Sequence, residues 1–397
     1  MLSTADALAK VLDLAPSMPT ETVSLADAAG RVLAEDAIAR RDQPPFAASA
    51  MDGYAVRASE ALPGAVLKVV DESAAGHRAG MSLPLGAAIR IFTGAPVPQG
   101  ADAILIQENC AREADRITVQ EAPTKGEYIR PAGGDFEAGF RISAPHRITA
   151  RDLALLAAMN VAELRVARHP VVALIPTGDE LVLPGEEPGP DQIIASNNFG
   201  LAAMLTAAGA LPRMCPIARD TAESLRASFA AAEGADIIVS LGGASVGEHD
   251  LVAEVMSGEG LKLDFYKIAM RPGKPLMAGR FGGAMMLGLP GNPVSAMVCG
   301  EVFLRPAIDK ALGLPAAPRK RRIATLGHEI DANGSREHYM RASLRSDGEV
   351  TPVVDIHENQ DSSRLSVLAH ANCLVVRPPH AERAKIGTLV EYILLDD

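Results

Sequence analysis

A glycine-rich segment followed by an acid is the part of this sequence best suited to chemistry. Residues 241–247 contain Gly242 and Gly243, follow the apolar run 236–240 and are followed by Asp250. Glycine lets the backbone approach a ligand closely, and the free N–H groups and partial positive charge of a helix start attract anions. A carboxylate at Asp250 could hold a cation that bridges such anionic groups. The pattern predicts a strand that runs into a phosphate- or oxyanion-binding loop.

Basic side chains gather at a second position, in a chain whose formal net charge is −11. Lys267, Arg271 and Lys274 lie in and just before the turn Arg271-Pro272-Gly273-Lys274-Pro275. Arginine offers an oxyanion a bidentate fork, whereas lysine offers a point charge. The alternative is a solvated basic turn with no ligand. The cluster predicts a site for a compact oxyanion or a phosphate when it is taken together with the neighbouring loops.

Carboxylates follow two further predicted elements. Thr177-Gly178-Asp179-Glu180 places two acids at the end of a strand. One of them could bind a cation or the polar edge of a ligand, although support of the next turn is an equally good interpretation. Asp220 opens the sequence Asp220-Thr221-Ala222-Glu223, which fits a helix capping box. Asp220 is therefore a helix cap, a ligand or both.

Two other loops carry helix-start signals. Ser245-Val246-Gly247-Glu248 fits a second capping box. Asn292 provides a capping side chain directly before Pro293, and proline is favoured at the first helical position. Both loops are therefore expected to lead into helices.

Residues 169–313 alternate short β-branched runs with alanine-rich helical segments, which is typical of a parallel sheet covered by helices. Ligands of such sheets bind beyond the carboxyl ends of the strands. We therefore expect the loops at 177–180, 242–243 and 288–292 to converge. The expected strands are 171–175 and 236–240, and the expected helices are 199–208 and 251–256.

The regions on both sides have short alternating strands and frequent turns. A β domain is expected from about 47 to 135, where Gly and Pro clusters separate the apolar runs. A hairpin turn at Asp347-Gly348 and a strand at 373–376 predict a second, C-terminal β domain. The runs of the first β domain are 66–70, 88–92 and 103–106, and its turn-rich loops are 49–57, 93–102 and 129–135.

The predicted architecture is a multidomain α/β plus β fold. Helical patterns before residue 46 and from 137 to 168, notably 152–159, are expected to pack together although an inserted domain separates them. The predicted domains are a linker and dimerisation domain at 1–46 with 137–168, an inserted β domain at 47–136, an α/β domain at 169–315 and a C-terminal β domain at 316–397.

Composition excludes several classes of protein. The 397 residues, 48% of them hydrophobic, are enough for several cores. A net charge of −11 argues against a nucleic-acid partner, which would require a basic face. Four separated cysteines without a C-x-x-C spacing predict neither a zinc site nor a disulfide framework, which fits a reducing cytoplasm. Neither a secretory signal nor an apolar run of about 18 residues is found, so no membrane association is expected.

Taken together and in order, six motifs resemble the molybdopterin molybdenumtransferase family, the molybdenum insertases that include the E domain of gephyrin. The resemblance covers nearly the whole chain. The motifs are Ser49-Ala50-Met51-Asp52-Gly53-Tyr54-Ala55, Thr93-Gly94-Ala95-Pro96-Val97-Pro98, Thr177-Gly178-Asp179-Glu180-Leu181, Gly242-Gly243-Ala244-Ser245-Val246-Gly247, Arg271-Pro272-Gly273-Lys274-Pro275 and Gly288-Leu289-Pro290-Gly291-Asn292-Pro293.

The resemblance implies a fold and a reaction. It implies an elongated four-part subunit with a molybdopterin-binding α/β domain and a small barrel-like C-terminal domain, and a homodimer with its active site at the subunit interface. The implied substrates are molybdate and adenylylated molybdopterin, and the implied reaction inserts molybdenum into the dithiolene and releases AMP with the help of Mg²⁺. A molybdopterin adenylyltransferase and molybdoenzymes are the implied upstream and downstream partners.

The resemblance also implies site residues. Catalytic roles are implied for Asp52, Asp135, Glu180, Asp220 and Asp250, with Glu180 and Asp250 as metal ligands. In the family, Asp52, Thr93, Arg130 and Asp135 would close over the cleft from the partner subunit. Implied substrate-binding residues are Thr93, Arg130, Gly242, Gly243, Ser245, Lys267, Arg271, Lys274, Pro290, Asn292, Ser295, Arg341 and Ser362.

Two alternative functions stay open from the sequence. One is molybdopterin adenylyltransferase, whose fold resembles residues 169–313 but which is usually a single α/β domain. The other is a non-catalytic scaffold, because the related domain of gephyrin also binds receptor peptides. The acidic and basic loops favour chemistry over both alternatives, since a scaffold would not need them.

Overall fold

The computed structural model describes residues 1–242, 251–345 and 351–395. Its α-helices are α1 (Thr4–Leu14), α2 (Ala150–Ala158), α3 (Asn197–Ala208), α4 (Ala222–Ala230), α5 (Leu251–Gly258), α6 (Pro293–Cys299), α7 (Arg305–Ala311) and α8 (Leu365–His370). A π-helical turn at Gly300–Leu304 joins α6 to α7. The helices expected at 199–208 and 251–256 are confirmed as α3 and α5.

The strands of the first half of the chain are short. They are β1 (Thr20–Ser24), β2 (Val32–Leu33), β3 (Ala37–Ile38), β4 (Ala48–Ser49), β5 (Gly53–Val56), β6 (Val66–Ser73), β7 (Ala87–Ile91), β8 (Ala103–Ile106), β9 (Cys110–Glu113), β10 (Arg116–Val119), β11 (Ile129–Arg130), β12 (Arg141–Ile142), β13 (His146–Arg147) and β14 (Glu163–Ala167).

The remaining strands build the α/β region and the C-terminal region. They are β15 (Val171–Pro176), β16 (Leu181–Val182), β17 (Ile193–Ile194), β18 (Leu211–Met214), β19 (Ile237–Leu241), β20 (Lys262–Phe265), β21 (Met270–Arg271), β22 (Met277–Phe281), β23 (Ala284–Leu289), β24 (Arg322–Leu326), β25 (Glu337–Arg345), β26 (Val353–Ile356), β27 (Cys373–Arg377) and β28 (Leu389–Leu394).

The chain divides into two compact units, which we call the inserted unit (Thr22–Val166) and the sheet-and-barrel unit (Met1–Glu21 with Ala167–Asp397). The four predicted domain limits are finer than this division and stay predictions. The division does show that α1, at the start of the chain, belongs with residues 167–397.

The inserted unit contains a six-stranded sheet in the order β8-β5-β7-β6-β10-β9, so the three runs expected between 47 and 135 are confirmed as β6, β7 and β8. Tyr54 and Val56 of β5 face one hydrophobic core, and Ala55 faces another on the opposite side. A Cβ at Gly53 would lie 2.1 Å from the Leu105 carbonyl oxygen, so only glycine lets β5 and β8 approach.

A separate core of the inserted unit joins chain segments from both sides of this sheet. Leu33 and Ala37 pack in one cluster with Leu156 and Leu164. The expectation that the two flanking segments pack together is therefore confirmed for residues 28–39, whereas α1 belongs to the other unit. Helix α2 supplies Leu156, and it begins with a capping box in which Thr149 and Asp152 exchange hydrogen bonds.

The sheet-and-barrel unit contains a six-stranded sheet in the order β18-β15-β19-β23-β22-β20. The first four strands are parallel, but β22 runs antiparallel to both of its neighbours, β23 and β20, so the expected parallel sheet is wrong at this edge. The cause is a two-residue turn at Gly282-Gly283, where both residues have positive φ angles of 55° and 87°. Such a turn reverses the chain and pairs β22 with β23 as a hairpin.

The C-terminal region closes into a five-stranded barrel, as the family resemblance implies. The ring runs β25-β26-β24-β28-β27, and β27 also pairs with β25. Ala342, Val354 and Val375 lie in its core. Strand β21, which leads into the basic turn, pairs with β25 and lies at the end of the strand order. Among the described residues, no helix is both long enough and apolar enough to cross a membrane.

Candidate active site at the carboxyl ends of the parallel strands

The parallel strands β15, β19 and β23 end together at a cavity of about 890 Å³. Its wall comes from the three loops expected to converge, which confirms that expectation for their described residues. The predicted site residues that line it are Glu180, Asp220, Gly242, Pro290 and Asn292. The cavity therefore combines carboxylates, a glycine turn and a helix start in one place.

Gly242 is required where β19 leaves the sheet. Its φ angle is 99°, and a Cβ there would lie 2.7 Å from the Thr177 carbonyl oxygen. Its N–H donates to the Leu289 carbonyl at 3.1 Å, so the loop starts between the ends of the two neighbouring strands. Gly243, Ser245 and Asp250, and with them the second capping box, lie outside the described residues.

The loop after β15 brings its second carboxylate back over the backbone. Gly178 has a φ angle of 143°, and a Cβ there would lie 2.3 Å from a carboxylate oxygen of Glu180. The absence of a side chain at Gly178 therefore leaves the space that the Glu180 carboxylate occupies at the cavity wall.

Asp220 is not a helix cap, so the capping box proposed for it is wrong. Helix α4 begins one residue later than that motif predicts, with Thr221 as its N-cap, and the Thr221 hydroxyl accepts from the Ser224 N–H at 3.2 Å. The Asp220 carboxylate instead lines the cavity. Burial raises its pKa, and the nearby charges of Asp179 and Glu180 raise it further. Negative charge is therefore crowded at this wall.

Asn292 is the N-cap residue of α6, but the expected capping hydrogen bond is absent. Pro293 follows it at the first helical position, as predicted. The next N–H, that of Val294, donates to the Ser362 carbonyl at 3.2 Å, so it does not need the Asn292 side chain. That side chain instead donates to the Ser362 hydroxyl at 3.2 Å, which places Ser362 beside the cavity. Ser295 is buried in the first turn of the helix.

The basic turn lies next to the cavity through its last residue. Pro275 lines the cavity, whereas Lys267, Arg271 and Lys274 are not among its lining residues. Lys267 is exposed, with its ammonium 5.6 Å from the centre of the Tyr266 ring. Arg271 lines a second cavity at the barrel. The predicted oxyanion role of these three cations stays a prediction.

Arg341 on β25 offers unused hydrogen-bond donors. Its side chain is only 1% exposed, and Nη2 donates to the Asn359 carbonyl at 3.0 Å. Within the described residues its buried Nε and Nη1 atoms have no hydrogen-bond partner. Burial lowers its pKa, an effect that Asp361 opposes and Arg271 reinforces. A buried guanidinium with free donors is a suitable partner for an anion.

The inserted unit gathers the other predicted site residues from its three turn-rich loops. Asp52 accepts hydrogen bonds from the Thr93 N–H at 2.7 Å and from the Thr93 hydroxyl at 2.8 Å. The pair β11–β4 sets Arg130 opposite Ala48. The Asp135 N–H donates to the Gln43 carbonyl at 2.9 Å. Asp52, Thr93, Arg130 and Asp135 are all exposed.

Arg219 is a residue of this site that the motifs do not identify. Its Nη1 donates to the carbonyls of Leu181 at 2.9 Å, Asp179 at 3.0 Å and Gly178 at 3.3 Å. It thereby fastens the loop that carries Glu180 to the segment that carries Asp220. The available signal was a single cation directly before Asp220, which sequence patterns alone do not connect to residues forty positions away.

Comparisons with known proteins agree along the whole chain. The MoeA N-terminal region (domains I and II) matches residues 2–160, a probable molybdopterin binding domain matches residues 173–310, and the MoeA C-terminal region (domain IV) matches residues 324–395. A molybdopterin molybdenumtransferase from Nostoc sp. is 35% identical over 95% of this chain and 90% of its own length. The chain belongs to the molybdopterin molybdenumtransferase family.

Further members of this family support the same assignment. Molybdopterin molybdenumtransferase 2 from Mycobacterium tuberculosis is 37% identical over 93% of this chain and 94% of its own length. The crystal structure of a molybdopterin biosynthesis MoeA protein from Pyrococcus horikosii superposes with a TM-score of 0.85, at 30% identity, over 99% of both chains. The multidomain α/β plus β fold is thus the fold of the molybdenumtransferase family.

Family membership bears on the adenylyltransferase alternative. The molybdenumtransferase relatives align over 93–95% of the chain, including the β regions before and after residues 173–310. A relationship limited to an α/β domain would leave both of those regions unmatched. The family assignment therefore favours a molybdopterin molybdenumtransferase over a molybdopterin adenylyltransferase.

Proposed function

We propose that this protein inserts molybdenum into molybdopterin. It transfers molybdenum from molybdate to the dithiolene of adenylylated molybdopterin and releases AMP. The observation that carries the proposal is the cavity in which Glu180 and Asp220 face Gly242 and Asn292 at the ends of the parallel strands. The molybdopterin molybdenumtransferases that align with nearly the whole chain support it.

The phosphate groups of the substrate would occupy the side of the cavity formed by the glycine turn and α6. Gly242 and Pro290 line that side, and the Asn292 amide stands at the start of the helix. The partial positive charge of a helix start stabilises anions. We assign Gly243, Ser245 and Ser295 to the same function by family resemblance.

Mg²⁺ fits the carboxylate side of the cavity. The donors there are carboxylate oxygens, which Mg²⁺ prefers, and the raised pKa of Asp220 reflects burial and the nearby charges of Asp179 and Glu180. Glu180 and Asp250 would hold Mg²⁺, and the ion would neutralise charge on the pyrophosphate. Asp220 would orient the bound group from the same wall.

Molybdate would be held by cations and by Ser362. The unused donors of Arg341 support this assignment, and Ser362 already hydrogen bonds to Asn292 at the cavity edge. Lys267, Arg271 and Lys274 would supply the remaining positive charge. Electrostatic stabilisation by donors that are already in place is the largest contribution we expect to the rate.

We further propose that the working form is a homodimer. Asp52, Thr93, Arg130 and Asp135 would act on the cavity of the partner subunit, as the family resemblance implies. A molybdopterin adenylyltransferase would supply the substrate, and molybdoenzymes would receive the product. All four cysteines are free thiols, which supports a reducing compartment such as the cytoplasm.

The decisive experiment is reconstitution with purified protein. Adenylylated molybdopterin, molybdate and Mg²⁺ should yield AMP together with a cofactor that activates an apo-molybdoenzyme. Asp250→Asn should abolish both signals while circular dichroism and the melting temperature stay unchanged. Full activity of Asp250→Asn would contradict the proposed site. Adenylylation of molybdopterin from ATP, or peptide capture without AMP release, would favour one of the two alternative functions.

A further inference from the structure

The open end of the C-terminal barrel contains a second cavity, and Arg271 is the one described lining residue that the proposed reaction also uses. Its volume is about 640 Å³. His338 and Met340 of β25 and Arg377 of β27 line it, in the same alternation that directs Ala342 and Val375 into the barrel core. The cavity is therefore the mouth of the barrel, and polar side chains take the place of core residues there.

Two of these polar side chains are buried next to each other. His338 is 6% exposed and Arg377 is 7% exposed, and they are paired residues of neighbouring strands. One terminal nitrogen of Arg377 donates to the Glu382 carbonyl. The buried Nε of Arg377 has no hydrogen-bond partner in the part of the chain that the structure describes. Buried polar groups are rarely left without a partner, so this donor points to a bound group.

The charges around the floor of the mouth are mainly positive. Burial lowers the pKa of His338 to about 4, and Arg271, Arg341, Arg336 and Arg377 lower it further. The imidazole is therefore neutral at pH 7 and can donate one hydrogen bond without adding charge.

The acids of the mouth lie at its exposed rim. They are Glu329, Asp331 and Glu358, and the first of them is paired with Arg383 at 2.7 Å. The floor itself carries Arg271 and Arg377 beside the neutral His338, so its charge is positive.

We propose that the barrel mouth binds a compact oxyanion of the phosphate, sulfate or molybdate type between Arg377 and His338. The Nε of Arg377 and the ring N–H of His338 provide two donors, and Arg271 contributes charge from the cavity wall. A guanidinium is well suited to such anions because its donors match the spacing of their oxygens. The site is separate from the cavity at the parallel strands, because Glu180, Asp220 and Asn292 do not line it.

Binding is measured directly, by calorimetry at pH 7 with sodium sulfate, inorganic phosphate or sodium molybdate. Arg377→Gln should weaken binding at least tenfold, and Arg377→Lys, which keeps the charge, should weaken it less. Arg383→Gln removes an exposed arginine of the same cavity wall and should change affinity less than twofold. Equal affinity of wild type and the Arg377 variants would overturn the proposal.

A spectroscopic measurement gives an independent test. In protein labelled at the histidine rings, the His338→Gln variant identifies the His338 signal among nine histidines. Without ligand this signal should stay constant from pH 5 to pH 7.5, whereas saturating sulfate should raise the His338 pKa by about one unit and make the signal titrate. A signal unaffected by all three anions would refute the site.

The relative affinities for sulfate, phosphate and molybdate identify the class of ligand. Binding of molybdate alone would assign the mouth to a metal oxyanion, and comparable binding of sulfate and phosphate would assign it to free phosphate-type anions. Both results support an oxyanion site. Neither measurement depends on molybdenum insertion, so failure here would leave the proposed function untouched.

Discussion

Asp220 and Asp52 are carboxylates of two different units, and the structure places them in opposite electrostatic environments. Asp220 has a raised pKa because it is partly buried and lies near Asp179 and Glu180. Asp52 has a lowered pKa because the N–H and hydroxyl of Thr93 both donate to the same carboxylate oxygen. Burial and neighbouring negative charge dominate at Asp220, whereas two hydrogen-bond donors from Thr93 stabilise the ionised form of Asp52.

If both carboxylates act in the proposed reaction, the difference predicts two kinds of contribution to it. A crowded carboxylate gains stability when a cation or a proton arrives, so Asp220 suits a wall that binds Mg²⁺ and phosphate. A carboxylate that already accepts two hydrogen bonds is fixed in place and stays ionised, so Asp52 suits the orientation of a substrate group. The two also have different supports, because Arg219 fastens the loop beside Asp220 whereas Thr93 holds Asp52.

The largest effect is expected for Asp220→Asn. Loss of this charge should lower kcat/KM for AMP release by about 100-fold or more, which is the usual size for a group that stabilises charge in the transition state. Asp179→Asn is the matched control, because its amide oxygen can still accept from the Asp220 N–H, which now donates to Asp179 at 3.0 Å. The control should lose less than tenfold. Equal losses of activity in both variants would show that Asp220 contributes no more to the reaction than its neighbour Asp179.

The next effect concerns the support of the acidic wall. Arg219→Gln removes the Nη1 nitrogen that donates to the carbonyls of Gly178, Asp179 and Leu181. Activity should therefore fall about 10- to 30-fold. We expect AMP release to need a higher Mg²⁺ concentration for half-maximal rate, because the acidic wall is less well held. We also expect a loss of about 1–2 kcal/mol in the free energy of unfolding. Arg219→Lys should recover part of the activity. A purely structural role would lower the melting temperature and leave the Mg²⁺ dependence of the folded enzyme unchanged.

Regular local patterns made much of this wall predictable. Strands β15 and β19 could be predicted from their β-branched runs, and the convergence of their loops followed from the geometry of parallel sheets. The cap at α4 could not be placed, because Asp220 and Thr221 are both good N-cap residues and differ by a single position.

Contacts between distant residues account for what the sequence could not predict. The hydrogen bond from Arg219 to Asp179 and the hydrogen bond from Asn292 to Ser362 both join residues far apart in the chain. The antiparallel edge depended on the short turn at Gly282-Gly283, which two glycines allow but do not require.

A smaller effect is expected at the support of Asp52. Thr93→Val removes the hydroxyl donor and keeps the backbone donor, so activity should fall about three- to tenfold. Thr93→Ser keeps both donors and should stay within twofold of wild type. Steady-state AMP release separates these values. Equal rates of AMP release for Thr93→Val and Thr93→Ser would show that the hydroxyl does not position Asp52 for the reaction. Thr93 would then not support Asp52 in the way that Arg219 supports the loop beside Asp220.

The smallest effect is on stability, and it should have opposite signs in the two units. The folded-state pKa of Asp220 is raised, so its contribution to stability is complete below the unfolded pKa of about 3.9 and is lost as the pH rises through the folded value. Asp52 has a lowered pKa, so its contribution is present above about 3.9 and is lost as the pH falls through its folded value.

Urea unfolding of Asp220→Asn should therefore show a higher free energy of unfolding than wild type at pH 6. The gain should be below about 1 kcal/mol because solvent screens this largely exposed side chain. Asp52→Asn should show a loss at pH 6, and both differences should shrink toward pH 3. Shifts of the same sign at pH 6 would show that the two carboxylates do not occupy opposite environments.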